Sequence, residues 1–147
     1  MKRIGLFPGS FDPFTKGHKN IVERTLQSIA DEVIIAVGKN AEKRGVQTIE
    51  QRIETIQRIF KGEERVRVVA YEGLTIDFAK TVNADFIVRG VRNVKDFEYE
   101  REIADVNRQM SGIETILLYT QPEYASISSS IVRELMSYGK DVSEFLP

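Results

Sequence analysis

The chain has 147 residues, with 21 basic and 22 acidic side chains and a formal net charge of −1. That balance gives no overall attraction to nucleic acid or to a membrane surface, so any anion site has to come from local clustering. Zero cysteines exclude disulfides and thiolate metal sites, and a single histidine excludes a histidine-rich zinc site. The first element is the apolar run Ile4–Phe7, read as a strand. Met1-Lys2-Arg3 ahead of it has the charge of a signal-peptide start, but the run ends at Pro8 and is too short for a signal core. After a turn rich in glycine and proline comes a helix over 17–30, whose Ile21, Val22, Thr25, Leu26 and Ile29 form one apolar stripe. A strand over Val33–Val37 and a polar loop Gly38–Gln47 follow. The next helix, 48–60, opens with Thr48 and Gln51 at capping-box spacing and buries Ile49, Ile53, Ile56, Ile59 and Phe60.

Strands over Val66–Tyr71, Phe86–Val88 and Thr115–Tyr119 then alternate with helices over 75–82, 96–110 and 129–138. The strands are β-branched and apolar on both faces, so the pattern predicts a Rossmann-like α/β fold. It is a doubly wound parallel sheet of five strands, with helices on both faces. Gly139–Pro147 reads as a short turn, and the length predicts one domain over 1–147. No stretch approaches the roughly 18 apolar residues of a membrane span, and a soluble, cytoplasmic protein is expected.

Chemistry concentrates where strands end. Pro8-Gly9-Ser10-Phe11-Asp12-Pro13-Phe14-Thr15-Lys16-Gly17-His18 links the first strand to the first helix and holds the only histidine. The carboxyl edge of an open α/β sheet is where ligands bind, and the free N–H groups of a helix start favour an anion. His18 therefore faces a ready phosphate site, with glycines for close backbone approach and Ser10 as a hydroxyl donor. Asp12-Pro13 reads as a turn, because a carboxylate aimed at phosphates would repel them. Lys43 and Arg44 lie in the loop after the second strand, and spacing alone does not separate a ligand from a solvated charge there. Arg89-Gly90-Val91-Arg92 closes the fourth strand with two guanidinium forks around a glycine, a composition suited to phosphate. On the helix 96–110, Phe97, Glu100, Ile103, Asn107 and Met110 share one face. Glu100 on that stripe either lines a cavity or pairs with an arginine such as Arg101 or Arg108. Finally, Ser128–Ser130 place three hydroxyls at a helix start, where one would suffice for a cap.

Gly-Ser-Phe-Asp-Pro-Phe-Thr-x-Gly-His resembles the signature of the nucleotidyltransferases related to class I tRNA synthetases. Thr15, in place of the more usual first histidine, together with Phe97-Glu98-Tyr99-Glu100 and Ile127-Ser128-Ser129-Ser130, is similar to the phosphopantetheine adenylyltransferase family. The resemblance runs from Pro8 to Pro147. It implies transfer of an adenylyl group from ATP to 4'-phosphopantetheine, giving dephospho-coenzyme A and pyrophosphate, with His18 as the catalytic residue. It assigns Ser10, Phe11, His18, Gly90, Val91, Arg92, Glu100, Tyr124, Ala125, Ser126, Ile127, Ser128, Ser129 and Ser130 to ATP. To phosphopantetheine it assigns Ser10, Lys43, Thr75 and Arg89, with Lys43 reaching the reacting phosphates. Mg2+ is expected to arrive with ATP, and a homohexamer is expected as the assembly. The alternatives are a relative acting on nicotinamide mononucleotide or glycerol phosphate, and a non-catalytic nucleotide-binding module.

Overall fold

The computed structural model describes residues 1–39 and 46–147. Five strands, β1 (Ile4–Gly9), β2 (Glu32–Gly38), β3 (Val66–Tyr71), β4 (Phe86–Val91) and β5 (Glu114–Tyr119), form one sheet in the order β3-β2-β1-β4-β5. Every pairing is parallel. The helices are α1 (Lys16–Ser28), α2 (Ile49–Ile59), α3 (Thr75–Thr81), α4 (Val94–Ser111) and α5 (Ser129–Ser137). The strand order reverses after β3, when the chain crosses over β2 and β1 to place β4 on the far side of β1. That reversal puts the topological switch point of a doubly wound sheet between β1 and β4.

Strand periodicity sorts the core into two layers. Phe7, Val33, Ile35, Val37, Phe86 and Val88 point to one face and pack against Ile21, Val22 and Leu26 of α1 and Ile56 of α2. Leu6, Ile34, Ala36 and Ile87 point to the other and meet Ile76 and Ala79 of α3. Both early helices begin as their residues dictate: Thr48 and Gln51 cap each other reciprocally at α2, and Thr15 does the same at α1 with His18 in the place usually held by Glu or Gln.

The α4 stripe departs from expectation. Phe97, Ile103 and Met110 do not form a buried face: all three are exposed, and Glu100 is the buried residue of the helix. The period of three and four placed them on one side correctly, but within a single chain that side is largely left open, and its middle lines a hollow instead of packing closely. The helix also starts two residues early, at Val94, because Asn93 accepts the Asp96 N–H as its cap.

Gly5 sits in the central strand against the Phe86 ring, and an added Cβ there would come within 2.9 Å of two ring carbons. Phe86 is buried and lies under the Arg3 guanidinium, so it has little room to retreat. Gly5→Ala is expected to cost about 1–3 kcal/mol, read as a lower urea midpoint with unchanged slope. An unaltered midpoint would show that the ring can yield.

Candidate active site

The switch point is a physical opening. β1 pairs with β2 along its whole length but with β4 only at Gly5↔Phe86 and Leu6↔Ile87. Beyond that the two strands part, and their carboxyl ends, Pro8-Gly9 and Arg89-Gly90, face each other across a cleft. The Arg89 Nη1 bridges it at 2.5 Å to the Pro8 carbonyl oxygen. A hollow opens on each side of this bridge. One, of about 430 Å3, lies on the α1 face and runs from His18 to the start of α5. The other, of about 440 Å3, lies on the α3 and α4 face and runs from Lys39 and Thr75 to Asn107. Pro8, Gly9, Ser10, Arg89, Tyr99 and Glu100 line both.

His18 is the best-defined side chain of the α1-side hollow. Its Nδ1 accepts the Thr15 backbone N–H at 2.9 Å, while the ring packs among Phe7, Phe11 and Phe14. Burial holds the imidazole pKa down from 6.5 to about 3, and the charges of Arg89 and Arg92 push in the same direction. A neutral ring that accepts at Nδ1 carries its proton on Nε2. Nε2, which has no partner among the described residues, is thus a fixed donor at the hollow. Phe11 helps hold it there. Its backbone adopts φ 51°, a left-handed conformation costly for a side chain, and its ring meets the imidazole edge-on. Gly9 makes room for that ring, since a Cβ on Gly9 would lie 2.8 Å from it.

The serine-rich segment converges on the same hollow, and its three hydroxyls divide the work. Ser128 caps α5 by accepting the Ile131 N–H, Ser129 donates to the Pro13 carbonyl at 2.8 Å, and Ser130 accepts from Arg133. Ser10, Phe11, His18, Gly90, Arg92, Glu100, Tyr124, Ile127, Ser128, Ser129 and Ser130, all expected at ATP, line this hollow. Val91, Ala125 and Ser126 do not: Val91 turns its side chain into the core, and Ser126 is exposed. Ser10, Thr75 and Arg89, expected at phosphopantetheine, line the other hollow. Lys43, the fourth residue of that set, and Arg44 lie outside the described residues.

Two details differ from expectation. Glu100 does line a cavity, as one of its two readings had it, but the arginine it pairs with is neither Arg101 nor Arg108; it holds Arg89, with Nη2–Oε1 at 2.7 Å and Nε–Oε2 at 3.0 Å. Asp12 is more than a turn residue. It is buried, and its carboxylate accepts the Val46 and Gln47 N–H groups at 2.8 and 3.1 Å, turned away from the hollow rather than toward phosphates. Two positioning arginines went unnoticed in the sequence. The buried Arg52 donates to the Ser10 carbonyl at 2.7 Å, and Arg133 donates to the Asp12 carbonyl at 2.7 Å. Arg52 did leave a trace, as a cation between Ile49 and Ile56 on the apolar stripe of α2. Arg133 left none beyond its place one turn after Ser129.

The single histidine makes the state of the ring directly measurable. In a proton NMR titration of the ATP-free protein, the imidazole signals are expected to stay flat between about pH 8 and pH 5. A midpoint near 6.5 would mean a solvated ring. Because the folded pKa is depressed, only the unfolded chain takes up this proton between 6.5 and about 3. His18 therefore subtracts stability progressively as pH falls through that window.

The chain has counterparts among known proteins. The cytidylyltransferase-like family matches residues 6–135. Phosphopantetheine adenylyltransferase of Bacteroides fragilis is 56% identical over 145 residues, covering 99% of this chain and 96% of that protein. The enzyme of the same name from Porphyromonas gingivalis is 53% identical over 146 residues, covering 99% of this chain and 95% of that protein. Among solved structures, a bifunctional NMN adenylyltransferase/ADP ribose pyrophosphatase from Francisella tularensis superposes with a TM-score of 0.73 at 17% identity, covering 99% of this chain and 44% of that one. At that identity the likeness speaks for the fold alone. The split sheet with its histidine and serine signatures, and relatives alike along almost their whole length, lead to one assignment: this chain belongs to the cytidylyltransferase-like family and, within it, to the phosphopantetheine adenylyltransferases.

Proposed function

We infer that this protein is a nucleotidyltransferase that moves the adenylyl group of ATP onto 4'-phosphopantetheine, releasing pyrophosphate and forming dephospho-coenzyme A. The observation that carries this reading is the pair of adjoining hollows sharing Ser10 and Arg89 across the β1/β4 cleft. A one-substrate enzyme needs one such room, whereas group transfer needs two that meet at the reacting atoms. The α1-side hollow takes ATP, with Tyr124, Ile127 and Ser128–Ser130 toward its far end and Arg92 and His18 nearer the junction. The α3-side hollow takes phosphopantetheine, with Ser10, Thr75 and Arg89 as contacts and Lys43 joining them by resemblance to the family.

In the reaction, an oxygen of the phosphopantetheine phosphate forms a bond to the α-phosphorus of ATP. The bond from that phosphorus to the β-bridging oxygen breaks, and pyrophosphate leaves with the electron pair. A phosphate monoester, with its second pKa near 6, is already an anionic nucleophile at neutral pH, so no side chain has to remove a proton. The protein's task is alignment and charge. His18 suits it: a neutral imidazole donating from Nε2 stabilises charge growing on the α-phosphate and neither gains nor loses a proton in doing so. Arg92 adds positive charge on the ATP side, and the N-terminus of α5 receives the departing pyrophosphate. Mg2+ enters on the ATP phosphates as part of the substrate. Asp96 and Glu100, the carboxylates lining the ATP hollow, are each engaged by an arginine.

The exposed Phe97, Ile103 and Met110 of α4 support assembly of several copies, a homohexamer by resemblance to the family. No helix of the described residues is long and apolar enough to cross a membrane. The reading places the enzyme in the cytoplasm, with ATP and phosphopantetheine as its partners rather than nucleic acid.

His18→Ala is expected to lower kcat by about 10²-fold or more while ATP still binds, by analogy with loss of an oxyanion donor. Undiminished turnover would remove His18 from the chemistry. A pyrophosphate-release assay offering phosphopantetheine, nicotinamide mononucleotide and glycerol phosphate in parallel decides the acceptor. Release with phosphopantetheine alone is the expected result, and a preference for either other acceptor would overturn the assignment.

A further inference from the structure

The turn between β1 and α1 contains a strained peptide with a relaxed alternative close by. Phe11 has φ 51°, a value costly for a residue with a side chain. That angle is a rotation about the bond joining its Cα to the nitrogen of the Ser10–Phe11 peptide. Turning the peptide over by half a turn would bring φ to about −129°, an extended value open to any residue. Something in the fold has to oppose the turn-over.

Arg52 is placed to do so. It is buried on α2, and its Nη1 donates to the Ser10 carbonyl at 2.7 Å. Its Nε donates to the carbonyls of Gln47 at 3.2 Å and Thr48 at 3.4 Å, at the start of its own helix. Anchoring Nε locally aims the rigid fork at Ser10. All three partners are main-chain carbonyls, and burying a cation is costly even when its donors are satisfied. An apolar side chain would extend the stripe of Ile49, Ile53 and Ile56 without that cost. What Arg52 adds is an orientation. The carbonyl and the N–H of a trans peptide point in opposite directions. Arg52 lines neither hollow, whereas Ser10 and Phe11 both line the ATP side. With the Ser10 oxygen drawn back to Arg52, the Phe11 N–H is turned away from it, and that N–H has no partner among the described residues. Turned over, the peptide would exchange the two groups and set an oxygen where the donor stands.

We propose that Arg52 is a positioning residue for ATP: by holding the Ser10 carbonyl it keeps the Ser10–Phe11 peptide in its strained orientation, with the Phe11 N–H presented to the phosphates in place of an oxygen. This rests on the adenylyl-transfer reading, in which ATP occupies that hollow. Arg52 itself lines no hollow, so its influence reaches ATP through the peptide. It falls on the phosphates and leaves the nucleoside alone. A donor fixed in this way before ATP arrives needs no reorganisation when charge moves onto the α-phosphate.

The test compares Arg52→Gln with wild type by calorimetry, with ATP and with adenosine, and by a crystal structure of the variant. Glutamine sets its amide nitrogen where Nε stands, so the local bonds to Gln47 and Thr48 are kept and the reach to Ser10 is lost. The ATP Kd is expected to rise by about 10-fold or more, as for loss of a hydrogen bond to a charged group, while the adenosine Kd stays within about threefold. The variant structure is expected to show the peptide turned over and Phe11 at negative φ. Unchanged ATP binding, ATP and adenosine weakened alike, or a peptide that stays in place would each overturn the proposal; a role in stability alone would lower the melting temperature and move none of these. If Arg52→Gln does not fold, Arg52→Lys, which keeps the charge but ends one bond short of Nη1, is read by the same measurements. Wild-type protein that binds ATP no more tightly than adenosine and transfers no adenylyl group overturns both readings. Active wild type without the expected split in the variant overturns this one alone.

Discussion

The parting of β1 from β4 is the constraint from which the rest of the site follows. Two register pairs hold the strands together at one end, and past Leu6 and Ile87 each goes its own way. A parallel sheet cannot leave such a gap dry and unfilled, because the backbone groups along it lose their ladder partners. The Arg89 side chain supplies one replacement by donating to the Pro8 carbonyl. The opening left on either side of that bond joins the two faces of the sheet. Two substrates approaching from opposite faces can therefore meet at one point, a geometry that a fully zipped sheet would forbid.

Around that opening the turn at Asp12-Pro13 acts as a junction for three distant pieces of chain. Arg52 of α2 reaches the Ser10 carbonyl, Ser129 and Arg133 of α5 reach the carbonyls of Pro13 and Asp12, and the Asp12 carboxylate takes the N–H groups at Val46 and Gln47. Charged groups thus serve the scaffold from behind, and the Asp12 carboxylate stays out of the lining of the hollow. A carboxylate would be a poor neighbour for phosphates, and here its hydrogen bonds turn it outward. The same economy governs His18. Aromatic packing and two nearby guanidinium groups keep it uncharged, and the Thr15 N–H settles which nitrogen holds the proton. A donor fixed before substrate arrives needs no reorganisation during reaction.

Much of this was legible in the residues, and the boundary is instructive. The signals that carried through were local. Alternating strands and helices gave the parallel sheet, the Thr48/Gln51 spacing gave the α2 cap, and glycines beside a lone histidine marked a turn that lines a hollow. Signals that depend on partners far along the chain did not carry. The α4 stripe had helical period but stays largely exposed, and Glu100 chose Arg89, eleven positions away on another element, over the arginines on its own helix. Arg52 left only a cation on an apolar stripe and Arg133 no clear trace, because the distant groups they reach are backbone carbonyls, which every residue owns.

The amino-acid order by itself determined which segments are strands and helices, where the caps fall, and which side chains stand at strand ends. Each of these follows from neighbours within about four positions, through backbone sterics, hydrogen bonding and hydrophobic period. Only the tertiary structure decided that β1 and β4 diverge, that the two signatures close on one cleft, and that the carboxylates at Asp12 and Glu100 find nitrogen donors on distant segments. Those outcomes depend on how sheets twist and how charges find partners across the whole chain, and no local pattern encodes which distant group arrives first.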